Sequence, residues 1–187
     1  TLVSVPDSVF ENCSALTDVK LSNVTKIGER AFFGCIGLKE IILPQSLTEI
    51  GEYAFNKTAL ASITLPQSID KVGNGWFSGC KYLETVNFDG KIKEIGESAF
   101  SGCTSLKNIE IPSSVTSIDG EAFWFSALKT IYGTSGSYAE TFAKKNGYQF
   151  VDITVPTVTN VQAAAAGKNK VKVTWDKVSG ATGYIVY

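Results

Sequence analysis

Apolar residues recur along this chain with a spacing of 22 or 23 residues, and a phenylalanine marks each recurrence. A β-branched residue stands five positions before each of the last five phenylalanines, and an alanine or a tryptophan directly precedes them. The phenylalanines are Phe10, Phe32, Phe55, Phe77, Phe100 and Phe123. A fixed period of this length is typical of repeat proteins, in which each repeat stacks on the next. The pattern therefore predicts a solenoid.

Each repeat carries a second apolar pattern after its phenylalanine. A leucine follows five or six positions later, and an aliphatic residue comes three positions after the leucine. These aliphatic residues are Val19, Ile41, Ile63, Val86, Ile109 and Ile131. They alternate with polar neighbours, as in half-buried strands, and prolines end three of the segments. Each repeat should thus contain a short strand, a turn, a second extended segment and a tight helical turn.

The segments VTKIGERAFFGCIGLKEIILPQS and KIKEIGESAFSGCTSLKNIEIPSS contain all of these positions. They resemble the BspA-like leucine-rich repeat, a subclass of secreted or surface proteins of bacteria and some protists. The resemblance covers residues 1–153 and implies a leucine-rich repeat solenoid, β-rich with short helical turns. Parallel strands joined by crossovers should wind it right-handed. The resemblance also implies an extracellular or cell-surface location.

The repeat pattern ends near residue 133, and residues 134–153 are expected to form a cap of one helix and one strand. Ser137 and Glu140 have the spacing of a capping box, and Gly147 is a typical helix stop. Ala139, Phe142 and Ala143 share one helical face and are expected to cover the open end of the stack.

Residues 154–187 are expected to form a linker and an incomplete second domain. Pro156, Trp175 and Tyr184 resemble the start of a fibronectin type III domain. A domain of that type needs about 100 residues, and a piece this short cannot bury a core. Self-association through its unpaired strands is therefore a further expectation. Because the sequence starts at Thr1 without a methionine, we expect a piece of a longer protein.

Composition and charge exclude several classes of function. The net charge is −1, so the chain offers no basic surface for nucleic acid, and no apolar run is long enough for direct membrane insertion. Histidine is absent, which removes Ser-His-Asp and Cys-His catalysis and histidine metal ligation. We therefore expect no catalytic site, no metal and no cofactor.

Four cysteines lie three residues after column phenylalanines, at Cys13, Cys35, Cys80 and Cys103. As repeat positions they are expected to be buried free thiols. A disulfide between Cys13 and Cys35 or between Cys80 and Cys103, and a metal site, are the alternatives. Parallel inward side chains disfavour the disulfide dihedral, and spacings of 22 and 23 residues match no zinc module.

Two further groups of residues have both a structural and a functional interpretation. Acidic residues recur near the repeat glycine, and they either open helical turns or form a carboxylate column for a cation or a glycoside. They are Glu29, Glu52, Glu97 and Glu121. Trp124 and Phe125 replace small residues in the last repeat. Burial of at least one against the cap helix is favoured, and an exposed aromatic patch for a partner is the alternative.

The alternation of the strands predicts the broadest candidate binding surface. The neighbours of the inward aliphatic residues should point outward in two stripes. One stripe is Asp18, Glu40, Ser62, Thr85, Asn108 and Thr130, and the other is Lys20, Ile42, Thr64, Asn87, Glu110 and Tyr132. We call these twelve positions the strand face. It is either a binding surface for a protein or glycan ligand or merely a solvated sheet.

The resemblance implies a non-enzymatic module that mediates adhesion to host protein, matrix or glycan. Two alternatives remain open from the sequence. The array could be a structural spacer in a multidomain surface protein, or a substrate-recruiting appendage of an extracellular enzyme.

Overall fold

The computed structural model describes residues 3–154, 160–165 and 171–176, and the chain divides into two compact units, Thr1–Ile153 and Thr154–Tyr187. The first unit is a solenoid of stacked turns, as the repeat predicts. Short strands of successive turns pair in parallel, so the backbone hydrogen bonds run along the stack.

Two-residue strands begin each repeat just before its phenylalanine, and they form two three-stranded parallel sheets. The first sheet contains β1 (Ser4–Val5), β2 (Lys26–Ile27) and β3 (Glu49–Ile50). The second contains β5 (Lys71–Val72), β7 (Glu94–Ile95) and β9 (Ser117–Ile118). In every one of these strands the second residue is buried and the first is exposed.

Longer strands follow the repeat leucine from the third repeat onward. Strand β4 (Ser62–Leu65) pairs with β6 (Thr85–Phe88), and β10 (Thr130–Gly133) pairs with both β8 (Asn108–Glu110) and β11 (Gln149–Asp152). The expected strands around Val19 and Ile41 are absent from the described structure, where residues 16–21 and 38–44 are outside any ladder.

The core of the solenoid is a continuous stack of phenylalanine rings. Neighbouring rings from Phe10 to Phe123 lie 5.4–5.7 Å apart between centroids and are nearly parallel, with interplanar angles of 4–14°. Offset stacking is a favoured geometry for aromatic pairs. The rings from Phe32 to Phe123 are buried, as are the alanines or tryptophan that precede them. Each repeat therefore contributes one ring to a shared core.

Helix α1 (Tyr138–Asn146) packs on the C-terminal end of the ring stack. Its Ala139, Phe142 and Ala143 are buried. The Phe142 ring lies 6.1 Å from the ring of Phe123. Gly147 ends the helix in the left-handed conformation, with φ of 76°.

The predicted capping box of this helix is not formed. The Ser137 hydroxyl makes no hydrogen bond, and Glu140 accepts from the Gly136 N–H at 2.7 Å and from Lys144 at 2.6 Å. These two interactions hold the pKa of Glu140 below its ordinary value, with Lys144 as the larger cause.

In the second unit, β12 (Gln162–Ala165) pairs antiparallel with β13 (Val171–Thr174). Pro156 and Tyr184, two of the three residues that carry the fibronectin type III resemblance, lie outside the described residues. The fibronectin type III-like segment stays a prediction.

Candidate functional site

The strand face is built by the parallel register of the solenoid. Ser62 lies opposite Thr85 and Thr64 opposite Asn87, and the Asn87 Nδ2 donates to Thr64 Oγ1 at 3.3 Å. Farther along, Glu110 lies opposite Tyr132. The register places equivalent positions of successive turns side by side, so their polar groups form rows along the stack.

Ten of the twelve strand-face residues are exposed, Tyr132 is half-buried and Thr130 is buried. The expectation that Thr130 belongs to an open face is wrong. Strand β11 pairs with β10 and places Gln149 opposite Thr130, whose hydroxyl donates to Gln149 Oε1 at 3.4 Å. The cap strand therefore covers this end of the face.

The most prominent apolar group on the strand face is Ile42, whose side chain is 86% exposed. Two shallow depressions of about 380 and 530 Å³ meet at Ile42, and Glu40 and Gln45 line both of them. The larger extends over Asp18 and Lys20, and the smaller over Ser62 and Thr64. Ile42 thus stands between two hollows, of which the larger carries both acidic and basic groups and the smaller only the acidic Glu40 and Asp89.

The strand face is a broad, open surface. Acidic and amide side chains are spread along the strand face, and the depression that Asn87 and Glu110 line has a volume of only about 170 Å³. In the part of the chain that the structure describes, no group of three or more Cys, Asp or Glu residues could hold a metal ion. The same residues include no helix long and apolar enough to cross a membrane.

The recurring acids lie in a row of hydrogen bonds between turns. Asn74 donates from Nδ2 to Glu52 at 3.1 Å and accepts from the Glu97 N–H at 3.1 Å. The Glu29 N–H donates to the Asp7 carboxylate of the preceding turn at 2.8 Å. At this repeat position Asp7 and Asn74 accept a backbone N–H of the next turn, and the Glu52 carboxylate accepts from Asn74. The position links neighbouring turns, which favours the structural interpretation for Glu52.

Trp124 and Phe125 are both exposed, at 50% and 83%, so the favoured burial against the cap helix is wrong. The helix packs on Phe123 through Phe142, and the two residues that follow Phe123 turn away from it. Their rings contact each other edge to face at 6.2 Å. Phe125 has a φ of 56°, in the left-handed region that Gly79 and Gly102 occupy in earlier repeats.

Three of the four cysteines are buried, and none of the four is paired. Each buried thiol donates to the carbonyl of a phenylalanine in the preceding turn, Cys35 to Phe10 at 3.0 Å and Cys80 to Phe55 at 3.1 Å. Cys13 is exposed, contrary to expectation. It lies in the first described turn, where no earlier described turn offers it a carbonyl.

The cysteines should differ sharply in reactivity because the thiolate is the reactive species. Burial raises the pKa of the Cys35 and Cys80 thiols to about 11, and it also raises the pKa of Cys103. We expect one thiol, Cys13, to react rapidly with a bulky aromatic disulfide at pH 8, and the other three to react only after unfolding. A Cys13→Ser variant should lose the rapid phase. Rapid reaction of two or more thiols in the folded protein would contradict the assignment.

A further depression, which the repeat pattern did not predict as a site, lies between the tight turns and the longer strands. It has a volume of about 470 Å³. We call it the edge groove, and it is lined by Ile36, Lys57, Thr58, Ala59, Gly79, Lys81 and Tyr82. One signal in the sequence does mark it. The distance from phenylalanine to leucine is five residues between Phe55 and Leu60, against six in the repeats on either side.

Comparisons with known proteins agree with the geometry. The model of the BspA type leucine rich repeat region matches residues 3–131 in six copies. A leucine-rich repeat protein from Bacteroides ovatus has a similar structure over 73% of this chain and 50% of its own, with 23% identity and a TM-score of 0.52. The pneumococcal vaccine antigen PcpA is 28% identical over 62% of this chain, with a TM-score of 0.56.

The chain spans only half of the Bacteroides protein and 29% of PcpA. No match is found among proteins of curated function.

Proposed function

Because the chain belongs to the BspA-type leucine-rich repeat family, we propose that it is a non-enzymatic binding module of a surface or secreted protein. The strand face is the proposed contact surface, and its ligand is a protein, a matrix component or a glycan. The observation that carries the proposal is the exposure of Ile42 between two hollows that Glu40 and Gln45 both line. The likeness to a vaccine antigen supports an accessible, extracellular location.

An extended, preformed surface is suited to this role. The stacked rings fix the positions of the turns, and the parallel ladders hold the strand face from Ser62 onward. Ile42 lies between the buried Ile41 and Leu43, so it too is positioned before a ligand arrives. Preorganisation of this kind lowers the entropic cost of association. Apolar anchors surrounded by polar groups are typical of the residues that dominate binding energy. Ile42 has this setting, with Glu40 and Gln45 in both adjacent hollows.

Changing Ile42→Asp should weaken capture of a ligand at least tenfold, about 1.4 kcal/mol. Its side chain is already 86% exposed, so the folded state should lose no more than about 0.5 kcal/mol. The measurement is binding of the wild-type and variant chains to a panel of immobilised matrix proteins and glycans. A second variant, with Asn87, Glu110 and Tyr132 all replaced by alanine, tests the other end of the strand face.

The control is Val9→Asp, which places the same carboxylate at an exposed aliphatic residue outside both the strand face and the edge groove. Equal capture by Ile42→Asp, the triple variant and the wild-type chain would remove the strand face as the contact surface. Capture of no panel member would favour the spacer alternative.

A further inference from the structure

We propose that the edge groove is a second binding site, and that it takes an acidic peptide segment through one apolar side chain. The site is distinct from the strand face, since the two share no lining residue. Its volume of about 470 Å³ lies in the range of ligand pockets, roughly 300–1,000 Å³.

The groove arises from the shortened third repeat. Because this repeat has one residue fewer between Phe55 and Leu60, only Ala59 stands between Thr58 and Leu60, where the neighbouring repeats have Ile36-Gly37 and Lys81-Tyr82. Ala59 is buried there, whereas Ile36 of the second repeat and Tyr82 of the fourth are 64% and 65% exposed. These two side chains form the walls of a hollow with an apolar floor. Burial of an apolar side chain between them would be favourable.

The charge of the groove favours an acidic partner. Lys57 and Lys81 are its two charged lining residues, and no carboxylate lines it. Within residues 3–154 neither lysine forms an ion pair. Two unpaired ammonium groups beside an apolar hollow match a peptide that carries acidic residues around one apolar residue.

The Lys57 side chain packs against neighbouring residues and does not extend freely into solvent. Its φ is 56°, at a repeat position where Gly34 and Gly79 occupy the left-handed region in the adjacent turns. The Lys57 stem covers Gly79, so that a Cβ on Gly79 would lie 2.9 Å from Lys57 Cγ. The ammonium group is 5.3 Å from the centre of the Phe33 ring. A cation in this position is attracted to the ring face and keeps its donors available.

The test uses a fluorescent heptapeptide with one phenylalanine between two pairs of acidic residues, and its binding to the full chain is measured by anisotropy. We expect saturable binding with a dissociation constant below about 1 mM. Lys57→Glu, Lys81→Glu and Tyr82→Ala should each weaken binding at least tenfold. Lys129→Glu, the same change at an exposed lysine outside the groove, should alter binding less than twofold. Peptides with alanine for phenylalanine, or amides for the acids, should bind at least tenfold more weakly.

Failure of this proposal is distinguishable from failure of the strand face, because Ile42→Asp should leave peptide binding unchanged. Absence of saturation, or equal loss in Lys57→Glu and Lys129→Glu, would overturn the proposal. Preference for a carboxylated oligosaccharide over the peptide would also overturn it. Circular dichroism and thermal melting of each variant verify that the fold is retained.

Discussion

Replacing Phe77 with alanine is expected to lower the free energy of unfolding by about 3–5 kcal/mol, the usual cost of removing a large buried aromatic side chain. The ring is fully buried and stacks on Phe55 at 5.7 Å and on Phe100 at 5.6 Å, so the substitution breaks the stack on both sides. It also removes the edge-to-face contact with Trp76. In a solenoid each repeat contacts only its neighbours, so the gap should also weaken coupling between the two halves.

The measurement is chemical denaturation followed by circular dichroism. The matched control is Phe125→Ala, the same change at a phenylalanine that is 83% exposed, which should shift the free energy of unfolding by less than about 0.5 kcal/mol. Separate transitions for the two halves of the array would be a further sign of lost coupling. Similar effects of the two substitutions would contradict the ring stack as the source of stability.

Replacing Gly51 with alanine should destabilise the protein by about 3 kcal/mol, at the upper end of the usual cost of overpacking. A Cβ at Gly51 would lie 2.4 Å from the Glu29 nitrogen and 2.7 Å from the Glu29 Cα, both backbone atoms of the preceding turn. To relieve this steric overlap, the two turns must move apart. That movement weakens the 2.8 Å hydrogen bond from the Gly51 N–H to the Ile27 carbonyl.

Gly120 provides the control for this substitution. A Cβ at Gly120 meets no heavy atom within 4 Å, and its φ is not positive. Gly120→Ala should therefore leave stability unchanged or raise it by about 0.4–1 kcal/mol through a less flexible unfolded chain. The measurement is the thermal melting temperature of the Gly51→Ala and Gly120→Ala variants, each compared with the wild-type chain. A Gly51→Ala protein as stable as Gly120→Ala would show that the turns are not packed as closely as described.

The sequence alone was sufficient to predict the solenoid, because a shared core requires the same apolar position in every turn. The phenylalanine period specifies the stack directly, and the family match confirms the class of fold. Side-chain exposure at the ends of the array could not be predicted in the same way. Exposure there depends on which segment covers the outermost turn, and the repeat does not encode that segment.

Three residues illustrate this limit. Cys13 has the pattern of a buried position but lies in the first described turn and is exposed. Thr130 has the pattern of an exposed position but is covered by β11. Phe125 is a large apolar residue of the type usually found in a core, but it has a left-handed backbone conformation and is exposed. In each case the position near an end of the array, and not the repeat pattern, decides the exposure of the side chain.

The edge groove shows the converse limit. The missing residue between Phe55 and Leu60 is visible in the sequence. Its consequence, a hollow with two unpaired lysines beside it, depends on where the neighbouring turns place Ile36 and Tyr82. A one-residue change in spacing predicts an irregularity, and only the packed turns show its shape and charge.

The central claim, that the strand face contacts the ligand, is tested most directly by photo-crosslinking. A benzophenone-bearing amino acid replaces Ile42 in one variant and Lys71 in another, since Lys71 is exposed on the other set of strands. Each variant is irradiated with the matrix protein or glycan that the wild-type chain captures. We expect a covalent adduct from position 42 and none from position 71. An adduct from position 71 alone, with none from position 42, would contradict the claim.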